Sequence, residues 1–232
     1  MEKYYNIAGL TVKMDSFGRT VEQAKPYECP PYEPVDITIQ SHWKELQERQ
    51  PHLSDEDCEY LSTGGCFYRN LLRYDGLLIH ASAVVVDGKA YLFSAPCGTG
   101  KSTHTQLWLK VFGDRAAILN DDKPALRCED GVWYAYGTPW SGKYDINMNV
   151  RVPVAGIAMI QRAETNSIEP FTGWKAIFEL LGQTARPIGV DPRQKLLEIL
   201  DRLLKAVPVW KLRCNMEEEA VQVSYEAMRG KE

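Results

Sequence analysis

The chain has no apolar stretch near the roughly 20 residues that a membrane helix needs. Its first residues, Met1-Glu2-Lys3-Tyr4-Tyr5-Asn6, carry no hydrophobic run of the signal-peptide kind. A cytoplasmic protein without a membrane partner is expected. Long runs of Lys and Arg are also missing and the formal net charge is −4. A nucleic-acid partner is therefore not expected, although a local basic pocket stays open. Cysteine occurs without pattern: Cys29, Cys58, Cys66, Cys97, Cys128 and Cys214 form no C-x-x-C pair, and the histidines do not cluster near them. That removes a structural zinc site and leaves six reduced thiols, several of them core filler. Internal repeats and low-complexity segments are lacking as well. What remains is an ordinary globular composition over 232 residues, 44% hydrophobic and 25% charged, enough for one large domain with a smaller N-terminal extension.

The extension, residues 1–73, reads as strands and turns followed by helix. Tyr5 to Met14 alternates around Ile7, Leu10 and Val12, and Val35 to Ile39 alternates cleanly. Between them Cys29-Pro30-Pro31-Tyr32-Glu33-Pro34 is too proline-rich for a helix or a central strand. Ser54 with Asp57 three residues on predicts a helix start, Gly64-Gly65 an interruption, and Phe67 to Arg73 a resumption.

From residue 74 to 232 the pattern is that of a mixed α/β core. Leu77 to Val86 is β-rich, and Asp87-Gly88 predicts a hairpin because a type I′ turn needs positive φ at both central positions. The return strand, Ala90 to Ser94, runs into Ala95-Pro96-Cys97-Gly98-Thr99-Gly100-Lys101-Ser102, and helix is expected from Lys101 to Phe112 with Gly113 as its stop. Ala116 to Leu119 is a short strand ending in Asn120-Asp121-Asp122, and Asp130-Gly131 predicts a second hairpin. A Gly- and Pro-containing loop, Gly137 to Lys143, precedes a core strand over Val152 to Ile160. Helices are expected over Trp174 to Gln183 and from Pro192 with Asp191 as cap, the latter burying Leu196, Leu197, Leu200, Leu203 and Leu204. Val207 to Leu212 is a late strand, and Asn215 with Glu218 caps the last helix.

The segment from Ala95 to Ser102 has the spacing of a phosphate-binding loop. Gly98 and Gly100 let successive backbone N–H groups turn toward phosphate oxygens, Lys101 aims a charge at the terminal phosphates, and Ser102 offers its hydroxyl to Mg²⁺. The following helix adds its positive end. Pro96, Cys97, Gly98, Thr99, Gly100, Lys101, Ser102 and Thr103 are the nucleotide-binding candidates, and Cys97 is read as a small residue that fits. Asp121-Asp122, roughly twenty residues further on, are expected on the strand beside the loop strand, where a carboxylate can hold Mg²⁺. His80 stands at the start of the hairpin that feeds the loop, in reach of the same site. Lys143 is a further phosphate-contact candidate. Arg151, Arg162 and Arg186 are unranked candidates for transition-state charge, and Trp140 is either a pocket wall or core.

His80-Ala81-Ser82 before an Asp-Gly hairpin, Gly98-Thr99-Gly100-Lys101-Ser102-Thr103, and Asn120-Asp121-Asp122, in that order, resemble the C-terminal catalytic domain of HPr kinase/phosphorylase. The likeness is strongest over about residues 74–128 and weaker to about 214. That family is more distantly related to ATP-dependent phosphoenolpyruvate carboxykinase. The resemblance implies a P-loop fold with a mixed central sheet flanked by helices and a small β-rich N-terminal extension. It also implies a kinase that moves the γ-phosphoryl group of ATP to a serine hydroxyl. Ala95 replaces the usual loop glycine, and Gly137 to Lys143 stands where HPr kinases carry a glycine-rich signature, as in divergent relatives found beside peptide-modification genes. The expected acceptor is thus a serine of a peptide or protein other than HPr. On this reading Lys101 holds the β- and γ-phosphates, Ser102 and Asp122 hold Mg²⁺, Asp121 takes the hydroxyl proton, and His80 supports it. The choice between Asp121 and Asp122 as base stays open, because neighbouring strand residues point to opposite faces. A small-molecule hydroxyl kinase and a nucleotide switch without productive transfer are the alternatives, and an oligomer is left open.

Overall fold

Alternation dictates the first elements. In the computed structural model, which describes residues 2–230, Tyr5 and Ile7 of strand β1 (Lys3–Ile7) and Leu10, Val12 and Met14 of β2 (Leu10–Met14) all point into one buried cluster. Their hairpin turns at Ala8-Gly9, both at positive φ. The two-residue strand β3 (Glu28–Cys29) and β4 (Ile37–Ile39) complete a four-stranded sheet of order β3-β1-β2-β4. Helices α1 (Gly18–Ala24) and α2 (Trp43–Arg49), neither anticipated from the sequence, and α3 (Asp55–Leu71) accompany it. Ser54 caps α3 as expected, its Oγ accepting from the Asp57 N–H at 3.1 Å.

Gly64-Gly65 does not interrupt α3, which runs unbroken through both. The glycine serves packing instead. A Cβ on Gly64 would lie 2.8 Å from Trp140 Cδ1, so the missing side chain is the seat of the indole. Trp140 is fully buried, stacked on Phe67 with ring centroids 4.9 Å apart, and donates through Nε1 to Thr63 Oγ1 at 3.2 Å. It is core.

The large sheet holds β5 (Gly76–Leu78), β6 (Ala81–Val86), β7 (Lys89–Ser94), β8 (Ala116–Asp122), β9 (Ala125–Glu129), β10 (Val132–Tyr136), β11 (Arg151–Arg162), β12 (Ser167–Pro170) and β13 (Val209–Cys214). Its main path is β5-β9-β10-β11-β7-β6-β8, with β13 on β11 and β12 on β13. Both Asp-Gly hairpins form, with φ 49° and 74° at Asp87 and Gly88 and 50° and 81° at Asp130 and Gly131. The sheet is mixed, because β7 runs parallel to β11 but antiparallel to β6. One expectation fails here: β8 does not lie beside β7. It pairs with β6, which stands between the two.

The two sheet faces bury different residues. Ala81, Ala83, Ala90 and Leu92 face α5 (Gly173–Gly182) and α6 (Val190–Ala206), while Val84, Val86, Tyr91 and Phe93 face α4 (Lys101–Phe112) and α7 (Glu218–Met228). Helix α6 starts two residues earlier than expected, with Gly189 as its cap and Asp191 inside the first turn. Its buried stripe is Leu196, Ile199, Leu200 and Leu203, whereas Leu197 is exposed. Asn215 does not cap α7; its Oδ1 accepts from the Glu217 N–H just before the helix begins. The result is a mixed sheet between two helical layers, with the small N-terminal sheet and α3 sharing a core with Leu78, Ala125, Tyr136 and Trp140.

Candidate active site

Strand register brings three chain segments to one point. Ala81 of β6 pairs with Ser94 of β7 on one side and with Asp122 of β8 on the other. The loop that leaves β7 after Ser94, the residue that precedes β6 and the end of β8 therefore meet. His80, one residue before β6, sets Nε2 3.1 Å from Asp122 Oδ1. Its Nδ1 lies 3.1 Å from Gln183 Oε1, and its backbone N–H donates to the Gln183 carbonyl at 2.7 Å. Gln183, at the end of α5, was read from sequence only as a helix terminus. Nothing in its local pattern marks it as the residue that orients His80.

The loop itself leaves one side bare. Gly98 and Gly100 have φ of 77° and 116°, and nothing lies within 4 Å of where their Cβ atoms would be, so the side they leave bare is open. Gly100 caps α4, and Thr105 Oγ1 ties that helix start to β6 through Ser82 Oγ at 2.8 Å. Lys101 is buried and donates to the Ala95 carbonyl at 3.0 Å, which leaves ammonium protons without a partner among the described residues. Burial lowers its pKa, with Asp122 and Asp121 acting against that. Arg162, at the end of β11, grips the loop from behind, donating to the Thr99 carbonyl at 2.9 Å and the Gly98 carbonyl at 2.5 Å.

Facing the loop across a cavity of about 440 Å³ stand His80, Asp121, Asp122, Gly142, Lys143 and Tyr144. His80, Lys101, Ser102, Thr103, Asp121, Asp122, Lys143 and, of the three arginine candidates, Arg162 meet in that one space; Pro96 and Thr99 lie on the outer side of the loop, with Cys97 and Gly98 on both. Arg151 does not join them: it pairs with Glu129 at 2.6 Å at the far end of β11. Arg186 is exposed between α5 and α6 and does not line the cavity. Lys143 is exposed, its Nζ 4.6 Å from the Tyr144 ring centroid. The Gly142 segment is pinned by the N-terminal elements: Tyr60 Oη accepts from its N–H at 2.9 Å and Gln23 Nε2 donates to its carbonyl at 2.8 Å. The sequence held no signal for either contact.

The two carboxylates are distinct. Asp122 is held by His80 and by an ion pair with Lys123. Burial alone would raise its pKa, but the hydrogen bond from His80 and the Lys123 charge outweigh it and hold the carboxyl at about 2. Asp121 lines the same cavity, and its carboxylate has no hydrogen-bond or ion-pair partner among the described residues. One is a fixed anion and the other a free acceptor. Among the described residues no group of three His, Cys, Asp or Glu is placed to hold a metal ion. A divalent cation here would have Ser102 Oγ and one carboxylate from the protein and would need phosphate oxygens for the rest, which is the donor set of a nucleotide-borne Mg²⁺.

Residues 54–222 match the family described as SynChlorMet cassette protein ScmC. The chain belongs to that family. The ScmC match begins at the cap of α3, ends within α7, and contains every cavity residue named above, whereas Gln23 precedes it. No curated protein matches this ScmC-family chain. Among solved structures it is similar to the Hpr(Ser) kinase/phosphatase from Coxiella burnetii, at 14% identity and a TM-score of 0.37, over 66% of this chain and 99% of that one. Among the described residues no helix is long and apolar enough to cross a membrane.

Proposed function

We propose that the chain is an ATP-dependent kinase with a P-loop fold, which transfers the γ-phosphoryl group to the hydroxyl of a serine in a peptide or protein. The observation that carries this reading is the pairing, across one cavity, of an open glycine loop at a helix start with an unpartnered carboxylate. Phosphoryl transfer asks a protein mainly to position groups and neutralise charge, and those parts supply both. The loop N–H groups, Lys101 and the start of α4 receive the β- and γ-phosphates. Mg²⁺, brought with the nucleotide on Ser102 and Asp122, would neutralise the phosphate oxygens.

Asp121 accepts the proton of the incoming serine hydroxyl as its oxygen bonds to the γ-phosphorus. The bond to the β,γ-bridging oxygen breaks, and ADP leaves with that electron pair. His80, oriented by Gln183, holds Asp122 in place. Lys143 stands at the cavity mouth as a contact for phosphate or acceptor. The test is transfer of label from γ-labelled ATP to serine-containing peptides, with phosphoserine located by mass. Asp121→Asn is expected to lower the rate about 10²–10⁴-fold, the usual worth of a positioned base, while ATP affinity stays near normal. Asp122→Asn is expected instead to raise the Mg²⁺ concentration needed for half-maximal rate, since an amide is a poorer ligand for a hard cation. Unchanged kinetics in both variants would remove the pair from the reaction.

A further inference from the structure

The phosphate loop has a second side. Beyond it, between α4 and the ends of β11 and β13, lies a separate cleft of about 340 Å³ that shares Gly100, Thr103 and Arg162 with the carboxylate-bearing cavity. Register explains it. Met159 pairs with Ser94, so β11 continues to Arg162 past the point where β7 turns into the loop, and β13 runs alongside it to Cys214. The two strand ends make one wall and α4 the other. The lining is mainly apolar, from Leu107, Ile160, Ala163, Cys214 and Met216. It contains no carboxylate.

We propose that this cleft is the nucleobase site, which takes the adenine ring and ribose of the ATP in the proposed reaction. The inference rests on that reading and goes beyond it by assigning the other end of the ligand. The γ-phosphate must face Asp121 and His80, which lie on one side of the loop only. A triphosphate laid over the start of α4 therefore leaves on the opposite side, across Gly100 and Thr103, into the apolar cleft. Its volume lies within the range of about 300–1,000 Å³ usual for small-molecule sites, which pair apolar walls with a few polar groups. A flat heteroaromatic ring suits walls of Leu, Ile and Met by dispersion and by removal of apolar surface from water. His104, on the inner wall, adds a second observation. Its Nε2 accepts from Trp108 Nε1 at 3.1 Å, which puts the proton on Nδ1, and Nδ1 is buried with no partner. That N–H has no accessible surface, so a base ring nitrogen meets it only once the imidazole turns toward the cleft.

Titration calorimetry with ATP and with inorganic tripolyphosphate, against the native protein and Ala163→Trp, separates the two halves of the ligand. Ala163 is a half-buried alanine at the end of β11, where an indole would fill the cleft. ATP affinity is expected to fall about tenfold or more in the variant, with tripolyphosphate binding unchanged. Met216→Ala, on an exposed side chain, carries the same selective loss in smaller measure and guards against the tryptophan disturbing the loop. Equal ATP affinity in native and variant proteins, with tripolyphosphate bound by all, overturns the base site alone. Binding of neither ligand by the native protein overturns the phosphate loop and the base site with it.

Discussion

Asp121 and Asp122 show how much one position in a strand decides. They are identical in chemistry and adjacent in sequence, yet His80 and Lys123 hold only the second. Glu59 is a third carboxylate with a different environment. It is fully buried, takes a hydrogen bond from Thr20 Oγ1, and has its other oxygen unpaired. Burial raises its pKa to about 7, with the Thr20 and Phe17 hydrogen bonds pulling the other way. The folded state therefore holds a proton that the unfolded chain releases above its ordinary value near 4.5. Stability is lost as pH rises from about 4.5 to about 7 and is constant above, by on the order of 3 kcal/mol in total. Glu59→Gln is expected to flatten that slope and to be more stable than the native protein at pH 8. Urea midpoints of both proteins at pH 5 and pH 8 check this; equal slopes would show that Glu59 does not carry the proton.

Helices and strands were legible wherever local chemistry agreed with tertiary packing. The Asp-Gly hairpins, the strand into the loop, and α4 from Lys101 to Gly113 follow from turn geometry and capping, which act within a few residues. The misses lie where a distant contact prevails. Gly64-Gly65 reads as a break, yet its purpose is set by an indole 76 positions away along the chain, at Trp140. The separation of β7 and β8 by β6 was hidden for the same reason, since strand order is settled by pairing between segments rather than within them. Gly64→Ala should consequently destabilise the protein by about 1–3 kcal/mol through overpacking against Trp140, although alanine is the better helix former. Thermal unfolding with tryptophan fluorescence measures it. An alanine variant as stable as the native protein, with an unshifted spectrum, would mean that the indole yields without cost.

Taken together, the N-terminal sheet, α1 and α3 serve the site from outside it. Gln23 and Tyr60 hold Gly142, and Gly142 lies against the backbone and side chain of Asp121-Asp122, where a Cβ would come within 3.3 Å of both. The strand ends of the large sheet supply the loop and the carboxylates, and the N-terminal elements fix the segment that closes over them. On the proposed reading, these arrangements serve an anion held at the start of α4. The most direct measurement is the affinity for Mg²⁺-ATP of the native protein and of Lys101→Ala, by calorimetric titration of folded samples. Saturable binding by the native protein, with at least a tenfold loss of affinity and about 10²-fold or more loss of transfer rate in the variant, is the expected result. Equal ATP affinity and turnover in a folded Lys101→Ala protein would contradict it.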